Sequence, residues 1–243
     1  MHIDPRALSA SLEGLGSTDI GGISVEAALE RVVGAARQLF TVTGVGLMLV
    51  DDGGSLRYVI GSDPAAQELE QAQEDLGEGP CVDGFVLGRD VRTDDVITDP
   101  RWPQLAARLA GAGVRAVLGV PTRLGGVPAG SLNVYRETRY AWDESDEEAI
   151  GAYRGIVESV LESAVAARRG ERIVAQLQGA LDRRVVIERA VGLLMARLDI
   201  DAVGAFGLLR RAARDSRRRV ADVAEEVLTG SELPAPAPGP PGG

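Results

Sequence analysis

Two pairs of apolar runs, each pair split by a glycine turn, constrain this chain more than any other feature of it. Val45 to Val50 and Leu56 to Ile60 flank Asp51-Asp52-Gly53-Gly54, while Val114 to Val120 and Ala129 to Tyr135 flank Arg123-Leu124-Gly125-Gly126. Short apolar runs joined by such turns predict two β-hairpins. Around them the spacing is helical. Val25, Leu29, Val32, Val33, Ala36, Leu39 and Phe40 predict a helix that Ser24 caps and that ends near Gly44, with Glu26 in its first turn. Between the hairpins, Pro64 to Gln73 reads as a short polar helix closed by the turn Gly77 to Pro80. A further short helix starts at Cys81, and another runs from Pro103 to Ala110 with proline at its first position. From Asp143 to about Arg169, a long helix presents Ile150, Tyr153, Ile156, Val157, Val160, Leu161, Ala164 and Val165. The order helix, hairpin, short helices, hairpin, long helix implies an antiparallel sheet covered by helices, an α+β arrangement.

Beyond Gly170 the pattern changes to helices alone. Ile173, Leu177, Leu181, Ile187, Leu194 and Leu198 continue helical spacing to about Asp199. Asp201 caps a second helix bearing Ala202, Ala205, Phe206, Leu209 and Ala213. A third, from near Arg218, bears Val220, Val223, Ala224, Val227 and Leu228. Charge divides at the same place: residues 1–167 hold 13 arginines and 26 acids, residues 168–230 hold 13 arginines and 9 acids. An acidic body thus precedes a basic segment able to meet a polyanion, or one that only solvates its helices. The reading gives four parts: a flexible lead at 1–23, an α+β domain at 24–168, an all-α three-helix domain at 169–230 reached through the long helix, and a disordered Pro/Gly-rich tail at 231–243.

Composition removes much chemistry. Every basic side chain among the 26 is arginine, the one histidine is His2, and Cys81 is the lone cysteine. A Walker phosphate loop and a pyridoxal Schiff base each need a lysine. Histidine-based triads and His-ligated zinc or haem need an imidazole held in a folded domain, which His2 at the chain end supplies poorly. One cysteine forms no internal disulfide. Apolar runs fall far short of the ~18 residues of a bilayer span. No membrane segment, metal site or required cofactor is expected, and the cytoplasm is the expected location.

The run Ala180 to Leu228, with AVGLLM at Ala190–Met195, AFGLLR at Ala205–Arg210 and ADVAEEV at Ala221–Val227, resembles the ANTAR family of three-helix RNA-binding antitermination modules. It departs from that pattern at Val191, where the family commonly has a lysine. The region from about Ser24 to Val165 resembles a GAF sensor domain through GEGPCVDGF at Gly77–Phe85, DPRWP at Asp99–Pro103 and the stretch Gly113 to Tyr135. The joint resemblance implies a non-enzymatic, signal-responsive regulator. Its GAF domain would sense a small molecule or a redox event, and its ANTAR domain would bind hairpins in nascent transcripts and prevent a terminator from forming.

RNA loops are held by guanidinium groups on phosphates and by planar groups on which bases stack, and arginine supplies both. Arg184, Arg210, Arg214, Arg218 and Arg219 are the expected phosphate contacts, whereas Phe206, the only ring in the segment, is expected in its core. Cys81 is either a sensing thiol or a small buried residue, with burial favoured. Trp102 and Trp142 are expected to pack, and the acid pairs Asp94-Asp95 and Asp143-Glu144 to cap or solvate. A two-hairpin target suits a homodimer, for which the apolar pattern from Ile150 to Leu198 offers a coiled-coil seam; packing within one chain explains its first half equally well. A protein-binding scaffold, a DNA-binding regulator and a GAF-based enzyme acting through Cys81 are the rival readings.

Overall fold

The computed structural model describes residues 3–16, 23–40, 42–166 and 171–230. Five antiparallel strands form one sheet in the order β2-β1-β5-β4-β3. They are β1 (Gly44–Val50), β2 (Leu56–Gly61), β3 (Val91–Thr93), β4 (Ala116–Leu124) and β5 (Val127–Arg136). Both expected hairpins are present, β1 with β2 and β4 with β5. Gly125 and Gly126, at φ 58° and 83°, make the tight turn of the second, a conformation that side chains with a Cβ rarely adopt.

Strand alternation splits the sheet into two chemistries. Val45, Leu47, Leu49, Leu118, Val120, Leu132 and Val134 are buried toward α2 (Val25–Phe40) and α6 (Glu144–Ala166). The opposite face carries Gly44, Gly46, Gly119, Ser131, Asn133 and Tyr135 beneath α3 (Pro64–Leu76) and α4 (Pro80–Leu87). Asp63 caps α3 by accepting from the amides of Ala65 and Ala66 at 3.0 Å. The short α5 (Pro103–Arg108) packs on α3, and Trp102 beside it is buried, as is Trp142.

Two elements differ from the sequence expectation. The lead contains α1 (Pro5–Gly16), which lies on α2 and α6 with Leu8, Leu12 and Leu15 partly buried and Ser11 hydrogen-bonded to Tyr153 at 2.6 Å. Its stripe is only three residues long, too short to register as a sustained period. Strand β3 has three residues, too few for its alternation to be read. The expected boundary at Gly170 and the Pro/Gly-rich tail lie outside the described residues.

The C-terminal segment is all helix: α7 (Glu171–Leu198), α8 (Ala202–Ser216) and α9 (Val220–Leu228). Asp201 caps α8 as expected, accepting from Gly204 at 2.7 Å. Among the described residues, most of the apolar pattern from Ile150 to Leu198 is spent within the chain. Ile150, Tyr153, Val157, Val160 and Leu161 enter the core shared with α2 and β4, while Ile187, Ala190 and Leu194 are buried among α8 and α9. Among the described residues, Val185, Met195 and Leu198 are the large hydrophobics that still face outward from α7. Among the described residues no helix is long and apolar enough to cross a membrane.

Candidate nucleic-acid interface

The apolar stripe of α8 fixes where its arginines go. Ala205, Phe206, Leu209, Ala212 and Ala213 are buried, so Arg210 and Arg214, one turn apart, share a flank. That flank is turned toward the α+β domain. Phe206 leaves the three-helix core to meet Phe85 of α4 edge-on, with ring centroids 6.4 Å apart. It is buried, as expected, but against the neighbouring domain.

Around this contact four of the five expected phosphate-binding arginines are paired within the chain, and Arg210 is packed on main chain. Arg214 donates to the carbonyl of Asp75 at 3.1 Å, and Arg210 lies against Gly77, where an added Cβ would fall 1.4 Å from its Nη1. Both therefore sit at the C-terminal end of α3, where exposed carbonyls favour a cation. Arg219 meets Asp52 of the β1–β2 turn at 3.0 Å, and Arg218 meets Glu226 of its own helix at 2.7 Å. Arg184 differs most from the expected solvent-facing contact. It is 8% exposed, stacks 4.5 Å over the Phe85 ring and pairs with Glu188 at 2.9 Å, because its position on α7 faces α4. Arg183, not among the expected contacts, donates to the carbonyl of Asp52.

The partners on the α+β side are Asp52, Asp75, Gly77 and Phe85, none of which the sequence singles out for this role. Nothing local links an acidic turn to arginines on a distant helix. The basic face was legible in the sequence; its meeting with these partners is a product of the tertiary fold. Burial, followed by repulsion from Arg214 and Arg57, pulls Arg210 down to about 10 despite the nearby Glu74 and Asp75.

A second polar cluster lies inside the α+β domain, between the sheet and the start of α4. Asn133 donates to Glu70 at 2.8 Å, Ser131 to Asn133 at 2.6 Å, and Gln73 to Glu70 at 3.1 Å. Gln73 also accepts from the Cys81 amide at 2.9 Å and donates to its sulfur. Gly46 makes room for this cluster: a Cβ there would stand 2.1 Å from Glu70 Oε1. Burial pushes Glu70 up to about 7 against its three hydrogen bonds. Burial and the neighbouring Glu70 carboxyl push the Cys81 thiol well up. That is the environment of a neutral thiol, opposite to the electropositive, partly exposed setting of reactive cysteines. Closer to the interface, burial raises Asp83 to about 6 although Trp102 donates to it at 3.0 Å.

The remaining acid pairs are structural. Asp95 binds Arg115 and Arg139 at 3.0 and 2.7 Å, and Asp143 accepts from Ser145 and the Asp146 amide. Among the described residues no group of three or more His, Cys, Asp or Glu side chains is arranged to hold a metal ion.

A five-stranded antiparallel sheet with helices on both faces is followed by a basic three-helix module. Family models place both: the GAF domain model matches residues 24–157 and the ANTAR domain model residues 175–228. The chain belongs to the GAF family and carries a C-terminal ANTAR domain. Solved structures agree on the fold. The free methionine-R-sulfoxide reductase from Neisseria meningitidis is similar at 21% identity and a TM-score of 0.54, over 66% of this chain and 89% of that one. The GAF domain of a phosphoenolpyruvate-protein phosphotransferase from Coxiella burnetii is similar at 17% identity and a TM-score of 0.53, over 67% of this chain and 94% of that one. At such identities the likeness concerns fold alone. No curated protein is similar enough to this chain to count as a match.

Proposed function

We propose that this chain is a cytoplasmic, non-enzymatic transcription antitermination regulator whose ANTAR domain binds RNA hairpins in nascent transcripts and whose GAF domain sets when it does so. The observation that supports this most is the arginine face of α8 and α9. Arg210, Arg214, Arg218 and Arg219 gather on one side of the three-helix module, and two of them, Arg214 and Arg219, bind a backbone or carboxylate oxygen of the GAF domain. Groups that bind carbonyls and carboxylates also bind phosphate. In the docked arrangement Arg214 and Arg219, together with Arg184 stacked on Phe85, are engaged by the GAF domain, which thus competes with RNA for them. A signal that favours the undocked arrangement would release them, provided it binds that arrangement more tightly.

A small molecule is a better input than oxidation of Cys81, whose thiol is buried, neutral and without a second cysteine to resolve a sulfenic acid. A homodimer would bring two ANTAR modules to one two-hairpin transcript. With the seam from Ile150 to Leu198 largely spent internally, dimerisation falls to what α7 exposes or to what undocking exposes.

One observation favours the scaffold reading instead: the arginine face here contacts a protein surface. The test is hairpin RNA against a scrambled strand of equal length, binding the full chain at low and moderate salt, because arginine-phosphate affinity falls steeply with salt. Preference for the hairpin at both salts supports the RNA reading, and equal binding of the two strands favours the scaffold.

A further inference from the structure

The gap between the two domains has a chemistry of its own. It encloses about 670 Å³, within the range of small-molecule sites. The β1–β2 turn, the end of α3, the flank of α8 and the start of α9 bound it. Arg57, Arg210, Arg211, Arg214, Arg218 and Arg219 line it, against the four acids Asp51, Asp52, Glu74 and Asp75.

Three of those acids are already committed. Asp51 and Glu74 hold Arg57 at 2.8 and 2.7 Å, and Asp52 holds Arg219 at 3.0 Å. Arg214 has only a carbonyl and, at 4.0 Å, its neighbour Asp215. Among the described residues, Arg210 and Arg211 have no hydrogen-bond acceptor and no carboxylate within ion-pair distance. Arg210 is moreover half-buried, pressed on Gly77 between Arg57 and Arg214. Withdrawing a guanidinium from water without an acceptor is costly, so folds ordinarily pair such groups. An anion in the gap would supply the acceptors. Its oxygens would meet the planar fork of each arginine, a geometry that suits phosphate. The excess of two positive charges in the lining matches a diphosphate group better than a single carboxylate.

We propose that the interdomain cavity binds a small diphosphate-bearing molecule through Arg210, Arg211 and Arg214, and that its occupancy clamps the ANTAR domain onto the GAF domain. The binding site stands on the geometry of the docked chain. The consequence for RNA rests on the RNA-binding reading given above. An occupied cavity holds together the surfaces that a hairpin must part, so the two ligands exclude each other.

Inorganic pyrophosphate is the probe, titrated calorimetrically into the full chain at moderate salt. The expected result is saturable binding of one equivalent, weakened about tenfold or more by Arg210→Gln or Arg211→Gln and unchanged by Arg108→Gln, which lies on α5 beside Glu68. Pyrophosphate should also raise the melting temperature of the wild-type chain but not of Arg210→Gln. Unliganded Arg210→Gln should melt no lower than wild type, since it loses no hydrogen bond; if it does melt lower, exposed Arg211→Gln decides the matter. Absence of saturable binding, or equal affinity in all three variants, overturns the site. Pyrophosphate should raise the apparent Kd for hairpin RNA, and unchanged RNA affinity at saturating pyrophosphate overturns the clamp. Pyrophosphate bound through Arg210 in a chain that binds no hairpin supports the cavity while removing the RNA-binding reading.

Discussion

Asp52 and Arg219 meet at 3.0 Å across the boundary between the GAF and ANTAR domains, although one lies in a hairpin turn and the other caps the last helix. Half-exposed pairs of this kind contribute little each, about 0.2–1 kcal/mol. Such pairs act beside apolar contacts, Phe206 on Phe85 and Ile187 against Gly54, in holding the docked state.

Asp52→Ala removes one of those contacts without touching an arginine. Hairpin RNA should then bind about two- to fivefold more tightly, as read by fluorescence anisotropy at fixed ionic strength. Weaker binding by this variant would count against docking as the restraint.

Glu70 titrates near 7 in the folded chain against an ordinary 4.5. Between those values the folded chain keeps a proton that the unfolded chain has released, so stability falls as pH rises through the window, with the full loss present above it. The gap is worth at most about 3 kcal/mol. Asp83, raised to about 6, adds a loss of the same sign at lower pH in any variant that retains it. Urea midpoints at about pH 5 and pH 8 should thus differ less in Glu70→Gln than in wild type. Equal differences would show that Glu70 does not carry the effect.

Gly46→Ala places a methyl group where the Glu70 carboxyl lies. The cluster must then shift, at a cost of about 1–3 kcal/mol. Equilibrium unfolding should show this loss, and adding Glu70→Ala should return part of it, because the two positions compete for one space. Simple additivity of the two changes would contradict that account.

Arg217 ends α8 with φ at 54°, a left-handed conformation that glycine adopts freely. Arg217→Gly should raise stability by about 1 kcal/mol, visible as a higher melting temperature. No gain would mean that the arginine side chain makes up for its backbone strain.

Periodicity made the hairpins, the long helices and the Asp201 cap legible, because each is specified within a few residues. The three-residue stripe of α1 and the brief β3 carry too little pattern to read. At the interface, the arginines of α8 and of the start of α9 were visible from their spacing, but what they meet, a backbone carbonyl, a glycine and a turn carboxylate, only the tertiary fold brings near. The same holds inside the GAF domain, where Gly46 and Glu70 are adjacent only because α3 folds back over β1. Arg184 belongs with these cases: helical spacing placed it on α7 but could not show that Phe85 would lie beneath it.

Gly54, in the β1–β2 turn, has no side chain, and Ile187 of α7 takes the space a Cβ would fill, within 2.3 Å of that point. On the turn's side of this contact there is only main chain, and on the helix's side the δ-methyl arm of Ile187. A ligand that displaces the turn meets that arm first, so the sensor presses on the first ANTAR helix through the side chain of one isoleucine.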